Sequence, residues 1–255
     1  MLTDLISGIF HFFWDNIPDI SFIVKALPLS IAYALIALFL AGYCKKKLKW
    51  RTGITRKIFH FSIFFCAVLV QYAFGLSGTF VFGWGVSLVL VYTIWKGAFN
   101  ILYEAIAREK DAPKRTWFII MPYLATLFGG LAANFFFVPI AAMAGYLITG
   151  IADAIAEPIG TRWGKHKYNV PTARGVVSQR SIEGSIAVFF ASMISFLSIF
   201  FIHNTGLECI AINIPIIQII AGAFIITLIE AISPHGWDNF TTQVAGAALF
   251  SWWMT

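Results

Sequence analysis

Residues 116–152 read TWFIIMPYLATLFGGLAANFFFVPIAAMAGYLITGIA, a stretch without a single Asp, Glu, Lys or Arg. A helix needs about 20 apolar residues to cross the hydrocarbon layer. This stretch therefore predicts two crossings, 116–133 and 135–152, joined as a tight helical hairpin at Ala133-Asn134. Outward from it, the same length rule gives spans at 26–43, 58–75, 79–103, 185–203 and 213–232, with a short last one at 242–254. Composition agrees. Of 255 residues, 59% are hydrophobic and only 12% charged, against roughly 25% charged in a soluble domain. Lipid is the solvent for most of the chain. The expected fold is all-α, a polytopic membrane protein with about 7–8 transmembrane helices.

Residues 1–22 hold Asp4, Asp15 and Asp19 and no basic residue, which is the wrong start for a signal peptide. That segment is expected to lie in the interface, ahead of a single transmembrane domain over 23–255. Cys44, Cys66 and Cys209 are too scattered for a disulfide framework or a zinc-ligand spacing. Among basic residues, seven fall in 44–57 (CKKKLKWRTGITRK), four in 104–115 and five in 153–183, leaving only Lys25 and Lys96. With the spans above, these three loops and 233–241 share one side, and the intervening loops carry no Lys or Arg. The positive-inside rule makes that side cytoplasmic and the N-terminus external. The net charge of +6 is thus a matter of topology, and nucleic acid is not expected as a partner.

Ionisable residues in or beside membrane spans are costly and mark function. The densest group is GIADAIAEPIGTRWGKHKY (150–168). At 100° per residue, Asp153, Glu157, Gly160 and Gly164 fall within about 60° of one another on a helix. Two carboxylates are thus followed by two positions where a nucleotide or another helix can approach closely. Arg162, Lys165, His166 and Lys167 come next. Hard oxygen ligands beside a cationic cluster are what a magnesium–polyphosphate ligand requires, although a helix end carrying topology charges explains the Lys and Arg alone. A second group, SQRSIEGSIAVFF (178–190), sets Glu183 at the threshold of a span, where the helix dipole also favours an acid. In a third, LIEAISPHGWDNFTTQ (228–243), Pro234 and Gly236 interrupt the helix before Asp238-Asn239. A fourth, TRKIFHF (55–61), aligns Arg56 with His60 by i,i+4 spacing beside Lys57. Lys96 stands alone in the third span, with Glu230 as a candidate partner. His11, His203 and Glu208 read as outer-interface residues.

Taken in order, these groups resemble the membrane polyprenol kinases: dolichol, phytol and farnesol kinases and the CTP-dependent diacylglycerol kinase, a family related to phosphatidate cytidylyltransferase. The matching residues are Arg56-Lys57 with His60, Asp153 through Lys167, Ser181-Ile182-Glu183-Gly184-Ser185, and Pro234 with Asp238-Asn239. The resemblance implies a polytopic enzyme that moves phosphate from a nucleoside triphosphate, often CTP, onto a lipid alcohol with magnesium. Ala152 and Gln179-Arg180 depart from the family pattern, and Glu157-Pro158 marks a distinct branch, so the lipid is not carried over.

On this reading Asp153 holds Mg2+, with Glu157 or Glu183 as a second ligand. Lys165 and Lys167 bind the triphosphate, assisted by Arg162, His166 or Arg180, with Arg56, Lys57, Gly160, Gly164 and Asn239 in the same site. Asp238 positions or deprotonates the lipid hydroxyl, and His60 is the alternative base. The expected partners are a membrane lipid and a nucleoside triphosphate; a homodimer is compatible with the sequence. A cytidylyltransferase using the same ligands is the runner-up. A transporter would account for Lys96 and Glu230, but the halves show no internal repeat and the polar residues gather at one interface.

Overall fold

The computed structural model describes residues 2–172, 178–204 and 215–254; Glu208 and Cys209 lie outside them. The chain runs through helices α1 (Leu2–Asp15), α2 (Ile20–Leu48), α3 (Thr52–Lys96), α4 (Ile101–Ile106), α5 (Trp117–Phe136) and α6 (Pro139–Trp163). Strands β1 (Lys167–Val170) and β2 (Ser178–Ser181) follow, then α7 (Ile182–Asn204), α8 (Ile216–Ile232) and α9 (Asp238–Met254). Helices α2, α3, α5, α6 and α7 are long and apolar enough to cross a membrane, and α8 is a shorter apolar helix. The protein is an all-α polytopic membrane protein.

Helix α3 is two crossings, not one. Its 45 residues would extend for nearly 70 Å if straight, at 1.5 Å per residue. Yet Phe59 and Ile63 from its start line the same cavity as Val86 and Leu90 from its end, and Tyr33 of α2 touches both Ser62 and Phe82. The reversal falls at Gly75, with φ 66° and ψ −161°, a conformation open essentially to glycine alone. With the halves of α3 counted separately, six passes among the described residues belong to helices long and apolar enough to cross, and the shorter α8 and α9 bring the helical segments to eight, in line with the expected spans.

Three features differ from expectation: two boundaries, through local chemistry that an apolar run does not report, and one strand pair. The 79–103 span stops at Lys96, where Gly97 turns with φ 66°. The chain then restarts as α4, because the Asn100 side chain accepts from the Leu102 N–H at 2.9 Å, an N-cap. The α5–α6 turn lies at Phe137-Val138 instead of 133–134. Asn134 stays helical and donates to Gly130 O and Tyr146 Oη, while Pro139 opens α6, where its fixed φ and missing N–H suit a first turn. The antiparallel pair β1–β2, with Tyr168 opposite Arg180, lies in a loop that carried no strand pattern.

Helix α6 is the centre of the bundle: every residue from Ala141 to Gly150 is buried, against α3, α7 and α9. Gly145 lets α9 approach at Gln243, where a Cβ would collide with backbone. At the end away from the basic loops, Gln71 donates to Asn134 Oδ1 (2.8 Å) and to Pro139 O (2.9 Å). This ties the α3 turn to the α5–α6 hairpin. Phe12 of α1 packs on Phe80 and Phe135 at that same end.

Candidate active site

Beyond its buried stretch, α6 continues towards the basic end and carries Asp153 and Glu157 one turn apart. The first turns of α3 face them. Lys57 Nζ lies 2.5 Å from Asp153 Oδ1 and 3.3 Å from Glu157 Oε2, and Arg56 Nη2 is 2.7 Å from Glu157 Oε2. His60 Nε2 is 3.2 Å from Thr149 O and 3.4 Å from Asp153 Oδ2. Both neighbours are acceptors, so Nε2 carries the hydrogen and Nδ1 is the proton-accepting atom. Arg56 Nε is buried and has no hydrogen-bond partner among the described residues.

Arg108, from the 104–115 segment, completes this cluster. It is buried, with Nη1 3.2 Å from Glu157 Oε1, Nε 2.8 Å from Asp111 Oδ2, and Nη2 2.8 Å from His235 Nε2. The arginine can only donate, so His235 Nε2 accepts and that ring is neutral. Burial, reinforced by the Arg108 and Arg56 charges, lowers His235 to about 4. The segment is held in place from outside. Arg115 makes a two-point contact with Glu104 (3.1 and 2.8 Å), and this hydrogen bonding keeps Glu104 below the usual carboxylate range. Burial pulls Glu109 upward, but hydrogen bonds from Lys45 and Thr52 outweigh it and hold Glu109 at about 2.

A second ion cluster adjoins the first. Arg180 of β2 places Nε 3.0 Å from Glu230 Oε1 and Nη2 2.9 Å from Asp238 Oδ2, and Nη1 3.3 Å from Ser233 O. His235 N donates to Pro171 O (2.9 Å), so the β1–β2 region is fastened over the turn between α8 and α9. Glu230 thus pairs with Arg180, and the Lys96–Glu230 pairing is overturned: Lys96 Nζ sits over the rings of Tyr92 and Trp95.

Between the clusters lies one cavity of about 120 Å³. Arg56, Lys57, His60, Asp153, His235, Asp238 and Asn239 line its polar side; Phe59, Ile63, Phe64, Val86, Leu90 and Ile119 are among its apolar walls. Asn239 is fixed by donating to Thr126 Oγ1 (2.8 Å). The structure therefore brings Arg56, Lys57, His60, Asp153, Asp238 and Asn239 to one place, with Glu157 and Arg180 directly behind them.

Other expected residues lie outside this cavity. Glu183 binds His166, with Oε1 2.9 Å from Nδ1, and is not brought to Asp153. Arg162, Lys165, His166 and Lys167 are exposed at the rim, with Arg162 over the Trp163 ring. Gly160 and Gly164 face Ser181, and Gly184 packs on Gly160, so of the two alternatives for this face, a nucleotide or another helix, it is the start of α7 that approaches. Among the described residues, no group of three or more His, Cys, Asp or Glu gathers as a metal site. Asp153 and Asp238 on one cavity still fit Mg2+, which takes one or two carboxylates and fills its shell with phosphate oxygens and water.

The sequence alone does not single out Arg108 or His235. Topology accounts for the positive charge of Arg108, whose one local signal is Asp111 at i,i+3. His235 stands between Pro234 and Asp238, where the helix break and the acid are the stronger signals.

No family model and no solved structure matches the chain. Over 235 residues the chain is 28% identical to a curated protein, the phytol kinase of Synechocystis sp., covering 89% of this chain and 93% of that protein. The resemblance to the polyprenol and phytol kinases therefore runs through most of the chain.

Proposed function

We propose that this protein is a membrane lipid-alcohol kinase, transferring the terminal phosphoryl group of a nucleoside triphosphate to an isoprenoid alcohol. The observation that carries this reading is the single cavity with two characters. One side offers carboxylates and cations for a metal–phosphate ligand, and the other is an apolar wall for a hydrocarbon chain. The similarity to a phytol kinase supports it, and the family resemblance makes CTP the donor to test first. The positive-inside pattern supports a cytoplasmic location for the site.

In this proposal Arg56, Lys57 and Arg108 bind the phosphates, and the unpartnered N–H of Arg56 Nε is one donor ready for a phosphate oxygen. Asp153 and Asp238 hold the nucleotide's Mg2+, which supplies charge neutralisation at the phosphates when bound. Glu157 serves as the counter-ion that sets the three cations in position. The exposed Arg162, Lys165 and Lys167 draw the anion to the rim. The alcohol oxygen attacks the terminal phosphorus, the bond to the bridging oxygen breaks, and the nucleoside diphosphate leaves. The alcohol's proton passes to His60 Nδ1, whose ring Thr149 O and Asp153 orient through Nε2–H. Asp238 is the weaker candidate base, because in this proposal its carboxylate is given to the metal.

The test is reconstituted protein given Mg2+, a panel of isoprenoid alcohols with phosphatidate and polyprenyl phosphate alongside, and CTP or ATP labelled at either the terminal or the first phosphate. Terminal label recovered as the alcohol monophosphate supports the kinase. First-phosphate label on a lipid identifies cytidylyl transfer instead. Asp153→Asn is expected to lower kcat by about 10²–10³, the range for losing one group that stabilises transition-state charge. Activity near that of the unaltered protein would remove Asp153 from its role.

A further inference from the structure

The cavity is too small for a whole lipid. Pockets that enclose drug-sized molecules run to roughly 300–1,000 Å³, and this one holds about 120 Å³. It accommodates the hydroxyl end of an isoprenoid alcohol and little more, so the chain must leave through a wall into the bilayer. The walls are not closed alike. Helix α5 packs along α9 and touches α6, while α3 packs on α2, α4 and α6. The second half of α3 and α5 are not among the closely packed helix pairs, yet both contribute to the cavity: Val86 and Leu90 from one, Ile119, Tyr123 and Thr126 from the other. Side chains close this side, and one hydrogen bond spans it, from Tyr123 Oη to Ser87 Oγ at 2.7 Å. Ser87 in turn donates to Gly83 O (2.6 Å). Both Ser87 and Tyr123 are half-buried, and the neighbouring Trp84, Leu88 and Val91 are exposed towards lipid.

We infer that the lipid alcohol enters sideways from the bilayer between α5 and the second half of α3, and that the Tyr123–Ser87 hydrogen bond is the latch of this portal. The inference rests on the lipid-alcohol kinase reading and adds the route and its two latch residues. Opening exchanges the hydroxyl–hydroxyl bond and the side-chain contacts across the gap for contact of the chain with Val86, Leu90 and Ile119. Hydroxyl and apolar chain part at the depth of His60, since the Leu90 and Phe59 side of the cavity is apolar and the Asp153 side is charged.

The experiment joins the portal shut. Ser87→Cys and Tyr123→Cys are combined in a chain whose Cys44, Cys66 and Cys209 are replaced by alanine, reconstituted, and linked with a short bismaleimide. Compared with the same preparation before linking, phosphorylation of a long-chain isoprenoid alcohol should fall more than tenfold, while a short, water-dispersible isoprenol is still phosphorylated. Unchanged long-chain turnover after complete linking overturns the portal. Should the double variant be inactive before linking, a photoactivatable isoprenoid alcohol in liposomes decides the matter. It should label peptides containing Val86, Leu90 or Ile119, and linking should abolish that labelling. Labelling elsewhere, or labelling that linking leaves intact, overturns the portal. A protein of unaltered sequence that phosphorylates no alcohol speaks against the kinase reading, and the labelling then judges the portal alone.

Discussion

His235 is neutral because it accepts from Arg108 and is buried beside Arg56, which places its proton affinity at about 4. An unfolded histidine titrates near 6.5. The folded value is therefore the depressed one, and the unfolded chain takes up the proton first as pH falls. The stability His235 contributes is complete above about pH 6.5 and is lost between there and about pH 4, to an extent of roughly 3 kcal/mol at most. Glu104 and Glu109 are held below the usual carboxylate range, so they titrate beneath the upper part of this window. Melting temperature in detergent is expected to drop from pH 6.5 to 4.5. His235→Gln keeps an acceptor for Arg108 and has nothing to protonate, so its curve should be flatter; an unchanged slope would assign the effect elsewhere. Arg108 shows why such residues escape a reading of sequence. A basic residue in a loop between spans has a sufficient explanation in topology, and only the folding-back of 104–111 buries it against Glu157. Asp153 and Asp238 were legible because topology has no use for acids there.

At the scale of elements, hydrophobic length was enough to place the crossings, since each apolar run of about 20 residues has one way to satisfy its backbone in lipid. The ends were not legible to the same degree. Gly97 with Asn100, and Pro139, moved boundaries through capping and ring geometry that hydrophobicity does not encode. The β1–β2 pair is held by Arg180 and by the His235–Pro171 bond, contacts between segments far apart in the chain. Gly75 is where local chemistry decides topology. No atom lies within 4 Å of a Cβ built there, so Gly75→Ala has no clash and its cost is backbone strain alone, about 1–3 kcal/mol. Gly83→Ala is the matched control: open space, an α3 position with ordinary helical dihedrals, and a gain of up to about 1 kcal/mol. A lower melting temperature for Gly75→Ala, with Gly83→Ala equal or higher, is the expected pair of results. Equal effects would contradict a turn at Gly75.

For the whole molecule, the eight passes predict which exposed positions share a side. Single cysteines at Lys46, Lys110 and Lys165 should react with an impermeant maleimide from one face of sealed vesicles. A cysteine at Val138 should react only from the other. Lys46 and Lys165 labelling from opposite faces would mean a pass has been miscounted, and with it the meeting of α3 and α6. Charge is also unevenly distributed along the molecule. The net +6 is displayed by lysines and arginines at the edge, whereas inside, Arg56, Lys57 and Arg108 are matched by Asp153, Glu157 and Asp111. Glu157 is in effect a resident anion. On the proposed reading, a chloride or lone phosphate drawn to the edge would find the inner cations already neutralised by Glu157, whereas a ligand with several negative charges would draw on the donors that Glu157 leaves free, such as Arg56 Nε. The bundle would thereby gather anions without discrimination at its border and admit them selectively within.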